Sequence, residues 1–217
     1  MSETETTAPE GRVARRRARV RERILRVAER LMSKRGVDEV TIDDITEAAD
    51  ISRRSFYHYF ESKHDVLVPI ARERTRSLNE AIDRLVATID DPAEVLATAM
   101  RHGLRSFTRD PLCAWFVLHS GLPHERLLEG LDTSGMRDVR AGIEAGRFRI
   151  TNARVLRPFL SGAFIAVAGA RIAGQLGDTD LDDSVEHMLL LLSLSKAEAH
   201  DIAHRPLRPL AGTGSDD

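Results

Sequence analysis

The segment that most constrains this chain is residues 41–63, TIDDITEAADISRRSFYHYFESK. Thr41 stands where it can cap a helix, with Asp44 three residues on as its reciprocal partner. Ile42, Ile45, Ala48 and Ala49 recur at helical spacing and predict one apolar face. Asp50 falls at the expected turn, where Asp tolerates a left-handed backbone better than most residues. Ser52 can then cap a second short helix over residues 53–59. Phe56 and Phe60 lie four apart and are expected to face a core, leaving Arg53, Arg54, Tyr57 and His58 to a partner. Helix, tight turn and short helix with basic and aromatic side chains make a helix-turn-helix suited to a DNA major groove.

The charge distribution agrees, although the total does not advertise it. The formal net charge is −2, yet eight arginines between Arg12 and Arg26 crowd the start with few acids among them. A solvated arm, residues 1–18, explains that run; so does an arm that neutralises phosphates, and the two are compatible. Cys113 is the single cysteine, which excludes an internal disulfide and fits a reducing, cytoplasmic location. The polar, acidic N-terminus does not read as a secretory signal. The longest apolar stretch, residues 159–170, is stopped by Arg171 and is too short to span a bilayer, so no membrane partner is expected.

Helical periodicity accounts for the rest. A first helix runs through Val20, Ile24, Val27 and Leu31 to a stop at Gly36. Ser62 and Asp65 cap a long helix over 62–89, interrupted by Pro69, where a kink is expected. Further helices are expected over 92–108, 112–120, 124–145 and 152–175. A last one from about 180 to 204 is apolar nearly all round, so it is buried on more than one side. Burial inside one protomer and burial in a two-fold dimer both satisfy that pattern.

The helix-1 pattern IL-VAERLMSKRG, then TIDDITEAADIS, then SFYHYFESKHDVL resembles the tetracycline-repressor family of bacterial regulators, over residues 20–67. That family commonly has Gly where this chain has Asp50, a mild departure at a turn. The resemblance implies an all-α fold. An N-terminal three-helix DNA-binding domain, residues 19–66, is joined by the long helix to a helical effector-binding and dimerisation domain, residues 67–206. Residues 207–217 are expected to be a disordered tail. It also implies double-stranded operator DNA as partner, read at base edges by Arg53, Arg54, Tyr57 and His58. Thr41, Ser52, Tyr59 and Lys63 are expected at phosphates. A homodimer is implied, with Ile165, Ala168, Met188, Leu191 and Leu192 as interface candidates. The expected function is repression relieved by a small, lipophilic effector.

Aromatic and polar residues on the apolar helices supply the pocket candidates: His102, Phe107, Trp115, Phe116, His119, Phe164 and Arg171. Ordinary core packing explains the aromatics equally well. Arg171 stands out because a buried, unpaired guanidinium is costly. No phosphate loop, G-x-G-x-x-G or G-x-S-x-G pattern occurs, so no catalytic residue and no cofactor is assigned. His200 and His204, four apart, share a helix face where a metal could bind, but an exposed helix end explains them too, and no metal is assigned. An orphan DNA-binding dimer without ligand remains an alternative, as does a helical metal-binding protein or enzyme.

Overall fold

The structure is a computed structural model that describes residues 8–119, 125–150 and 152–210. Ten helices and no strand occur among them. The chain divides into two compact units, Met1–Ile70 and Ala71–Asp217, and the division falls inside one helix.

The first unit contains α1 (Ala8–Arg35), α2 (Ile42–Ala48), α3 (Arg53–Tyr57) and the opening of α4 (Lys63–Val86). Helix α1 reaches back to Ala8, which corrects the expectation of a flexible arm over 1–18 as far as residues 8–18 are concerned; residues 1–7 lie outside the described ones. Pro9 is tolerated in a first turn, Gly11 costs about 1 kcal/mol, and the Ala and Arg that follow are among the best helix formers. Gly36 ends it with φ +87°, a left-handed conformation that favours glycine. Ile24, Ala28 and Met32 from α1 are fully buried with Ile45, Phe56, Val66 and Leu67.

The second unit holds the remainder of α4, α5 (Pro92–Arg109), α6 (Pro111–His119), α7 (Glu125–Glu144), α8 (Ala153–Ile172), α9 (Asp178–Leu190) and α10 (Lys196–Ala203). Helix α5 is its centre, packed by α6, α7, α8, α9 and α10. Asp91 caps α5 through the Ala93 N–H, and Pro92 supplies a preset first turn. Asp91 also receives Arg147 at 2.7 and 3.1 Å, and Arg147 reaches Glu198 on α10 at 2.8 Å. Asp110 caps α6 through the Leu112 and Cys113 N–H groups and pairs with Arg74 of α4.

The expected single final helix is two. Helix α9 ends at Leu190, Ser193 takes φ +69°, and Ser195 caps α10 through the Glu198 N–H. The turn resolves the all-round apolar pattern. Leu181, Val185, Met188, Leu189 and Leu192 enter the core on one side of it, and Ala199, Ile202 and Ala203 on the other. The start of the expected tail is packed as well. Leu210 is buried against Ile82 and Val86, and the Arg208 carbonyl accepts the His102 Nε2–H at 2.9 Å. Residues 211–217 lie outside the described ones.

Candidate functional sites

The helix-turn-helix is built by its caps. Thr41 Oγ1 accepts the Asp44 N–H at 3.1 Å, and Asp44 Oδ2 accepts the Thr41 N–H at 2.8 Å. The Thr41 hydroxyl also donates to Asp44 Oδ2 at 2.6 Å, and Arg35 adds a 3.0 Å ion pair. The Thr41 side chain and backbone bonds, followed by Arg35, hold the Asp44 carboxyl far below the usual range. With its hydroxyl both donating and accepting, Thr41 is a capping residue rather than a ready phosphate donor. Asp50 takes φ +49° at the turn, the conformation for which Gly is the common choice. Ser52 then caps α3 through the Ser55 N–H at 3.1 Å, and its own hydroxyl proton is left to point elsewhere.

Helix α3 stops at Tyr57, two residues earlier than the spacing predicts, because His58 and Tyr59 close a tighter turn onto Ser55 and Phe56. Phe56 is fully buried and Phe60 nearly so, 5.9 Å apart between ring centres. Tyr57, 47% exposed, meets Phe56 edge-on, and Arg53, Arg54 and His58 are exposed. Arg53 is engaged by Asp43, with Nη1 at 3.2 and 3.1 Å from its two oxygens. No ion pair holds Arg54 among the described residues.

Two expected phosphate contacts have other partners. Lys63 Nζ donates to the Val37 carbonyl at 2.6 Å and the Asp38 carbonyl at 3.3 Å, closing the chain after α1. Tyr59 is half-buried under the Arg17 guanidinium, 6.0 Å from its ring centre, and Arg21 covers Phe60 at 5.2 Å. Arg17 and Arg21 are one helical turn apart, a register hidden while the run is read as an arm.

In the second unit α4, α5, α7 and α8 line a partly open cavity of about 90 Å³. Its apolar wall is Ile82, Leu96, Ala99, Met100, Leu160 and Phe164; Asn79, Asp83, Ser134, Asp138 and Ser161 bring polar atoms. Asp138 is buried, and Arg137 holds its Oδ1 from Nε at 3.1 Å and Nη2 at 3.0 Å. The same guanidinium reaches both oxygens of Asp83 at 3.2 and 2.8 Å. Burial pushes the Asp138 carboxyl above its usual range, and Arg137 only partly offsets it.

Of the predicted pocket residues, Phe164 alone borders this cavity among those whose side chains are described. His102 is buried and bonded to the Arg208 carbonyl; burial lowers its imidazole, which is therefore neutral with the proton on Nε2. Phe107 packs edge-on behind Phe164, ring centres 6.3 Å apart. Trp115 does not border the cavity. Arg171 closes the end of α8, donating to the Leu176 carbonyl at 3.2 Å and to Asp178 at 2.9 Å, so no ligand anion is needed to balance it. The side chains of Phe116 and His119 lie outside the described residues. Arg137 and Asp138 were missed because α7 reads in sequence as a charged, solvated helix, and Asp83 because its partner lies 54 residues away on that helix.

The interface candidates divide similarly. Ala168, Met188 and Leu192 are buried in the core of their own protomer and have no surface to offer. Ile165 is partly buried and Leu191 is 50% exposed. Val155 and Phe159 on α8 are 48% and 61% exposed, with Gly162 and Ala166 continuing the stripe. A Cβ built on Gly162 or Gly169 meets nothing within 4 Å, so this protomer's packing does not require glycine there. The apolar run 159–170 is too short to span a bilayer, but the whole segment 154–172 is long and apolar enough by composition alone, with mean hydropathy 1.4 and 17% of its window buried, which corrects the expectation drawn from the shorter run.

A helix-turn-helix with an exposed basic face, and a separate helical unit with its own cavity, define the class of two-unit helical regulators. Residues 24–69 match the family described as bacterial regulatory proteins, tetR family, and residues 91–205 match the tetracyclin repressor-like C-terminal domain. The second match spans more than half of the chain, and the chain belongs to the tetracycline-repressor family. It is similar to RolR, solved with resorcinol, at 33% identity and TM-score 0.83 over 91% of this chain and 100% of that one. RolR without ligand superposes with TM-score 0.79. An uncharacterised helix-turn-helix-type transcriptional regulator of Mycobacterium tuberculosis is 35% identical over 105 residues, 48% of this chain and 52% of the relative. The helix-turn-helix-type transcriptional repressor NicS of Pseudomonas putida is 29% identical over 136 residues, 59% and 64% respectively. The chain thus spans about half to two thirds of the length of these two relatives.

Proposed function

We propose that this chain is a dimeric, DNA-binding repressor released by a small hydroxylated aromatic compound. The cavity carries the reading. At about 90 Å³ it is far below the roughly 300–1,000 Å³ of drug-sized sites. One small ring fits its apolar wall. Asp138, buried at the rim and held by Arg137, can accept a hydrogen bond from a ring hydroxyl. Support comes from RolR, at 33% identity over its whole length, solved with resorcinol.

Arg54, Arg53, Tyr57 and His58 are the base-reading set, with Arg54 the most available. Ser52 and the α1 arginines are the phosphate contacts. The second copy covers the exposed α8 stripe and Leu191, where the two open glycines admit a closely packed helix. Asn79, Ile82 and Asp83 place the ligand against α4, whose first turns belong to the DNA-reading unit. A ligand relieves repression only by favouring a form with misplaced recognition helices, since equal affinity for both forms shifts nothing.

The test is fluorescence anisotropy of the protein on DNA from upstream of its own gene, against random DNA, titrated with resorcinol, phenol and lauric acid. Selective binding released by the dihydroxylated ring is expected. Asp138→Asn should weaken that response by roughly 10–150-fold, the range for a hydrogen bond to a charged group. Equal binding to both DNAs, or release by lauric acid alone, would overturn the reading.

A further inference from the structure

The turn at Ser193 lays α10 back along α9 and brings together side chains far apart in sequence. His200 on α10 and His204, the residue capping its C-terminus, are one turn apart, and Glu186 and Asp183 are one turn apart on α9. His200 Nδ1 is 2.8 Å and His204 Nε2 is 3.2 Å from the same oxygen, Oε2 of Glu186. His204 Nε2 is also 3.3 Å from Asp183 Oδ1. The two imidazoles lie 4.4 Å apart, inclined by 34°, and one ligand atom from each of Glu186, His200 and His204 falls within 4.8 Å of the others.

We propose that Glu186, His200 and His204, with Asp183 as a fourth ligand, form a site for a divalent transition-metal ion of the zinc class that fastens α10 to α9. Donors bound at about 2.0–2.2 Å around one ion stand roughly 3–3.5 Å from each other, so the observed spacings need little adjustment. The H-x3-H spacing presents both nitrogens from one helix face. Two imidazoles with carboxylates select zinc, cobalt, nickel or copper over magnesium and calcium, which prefer all-oxygen sets.

The neighbouring charges leave the site to the ion. Asp201, beside His200, is taken by Arg205 at 2.5 Å, and Arg205 also reaches Glu94. Glu186 is mostly buried and fixed, whereas His200 is 64% exposed and provides the entry side. On binding, His200 coordinates through Nδ1 and carries its proton on Nε2; His204 coordinates through Nε2 and carries its proton on Nδ1.

The experiment uses the full chain, free of any histidine tag and stripped with chelator. Zinc is titrated in competition with a chromogenic chelator, with magnesium as control, and thermal unfolding is followed with and without zinc. One zinc per chain and a raised Tm are expected, with no effect of magnesium. Glu186→Gln and the double variant H200A/H204A should each lose more affinity than the roughly 10–100-fold typical of an outer-shell partner. Unchanged circular dichroism would show that the variants fold. Should they not, cobalt bound to the unaltered chain decides: paramagnetically shifted imidazole N–H protons from two histidines support the site. No zinc uptake, uptake undiminished in folded variants, or cobalt without shifted imidazole protons overturns it.

Discussion

Gly142→Ala is the substitution whose consequence can be worked most directly. Gly142 is near the end of α7, and a Cβ there would lie 2.1 and 2.2 Å from Phe148 Cε2 and Cδ2. Both are ring atoms of a side chain buried to 3% exposure in the main core. The ring cannot back away cheaply. The Gly142 carbonyl accepts the Arg147 and Phe148 N–H groups at 2.8 and 3.1 Å, and Asp91 clamps the Arg147 side chain. The Arg149 carbonyl accepts the Ser193 hydroxyl at 2.6 Å. Overpacking of this kind costs about 1–3 kcal/mol. Alanine recovers about 1 kcal/mol through helix propensity, leaving a net loss of up to about 2 kcal/mol. Removing the ring separates the two effects. Phe148→Ala alone should cost about 3–5 kcal/mol, and adding Gly142→Ala to it should be neutral or stabilising. The double-mutant cycle then shows about 1–3 kcal/mol of coupling. Urea unfolding at one fixed protein concentration measures all four proteins, because the stability of a chain that assembles depends on its concentration. Additive losses, or a stabilising single Gly142→Ala, would refute the account.

Three further outcomes follow from other parts of the molecule. Arg54→Ala should cost about 1–3 kcal/mol of operator binding and relax specificity at one position, with a smaller loss on random DNA, as anisotropy on both would read; equal losses would remove Arg54 from base reading. Phe159→Glu should convert dimer to monomer in analytical ultracentrifugation, since it places a charge within the exposed α8 stripe; an unchanged mass would move the interface elsewhere. Asp182 lies largely buried against Arg101 at 2.7 Å and Arg105 at 2.8 Å, so Asp182→Asn should cost about 3–5 kcal/mol near neutrality. Burial works to raise that carboxyl, but the two arginines outweigh it and hold it below its usual range. Its stabilisation is therefore present above about pH 4 and lost as pH falls through the folded value, so the gap between the two proteins should close in acid.

The local rules in the sequence were strong where one residue type answers one backbone need. Thr41 with Asp44, Ser52, Gly36 and the pair Ser62–Asp65 mark helix ends by side chains that bond nearby N–H groups or relax into left-handed backbone. Asp50 at φ +49° was legible for the same reason. Long-range pairing was not. Nothing in the spacing says that Arg171 is satisfied within its own chain, or that Asp138 is buried while its neighbour Arg137 is half exposed. Periodicity also fails at Ser193, because serine, unlike Asp at position 50, carries no marked preference for the left-handed backbone it adopts between two apolar runs. The arginine run misled in the other direction: charge density suggested an arm where helix propensity sets the structure.

The folded-back C-terminus has a practical meaning. Leu210 sits on Ile82 and Val86, one of which also borders the cavity, and the Arg208 carbonyl ties down His102. The last described residues thus act as a clasp on the α4 segment that the ligand would touch. A chain cut after Arg205 should show a shifted effector midpoint in the anisotropy titration even though its recognition helix is intact. An unchanged midpoint would show the clasp to be ornamental. Reporters and affinity handles for this protein therefore belong at the other end.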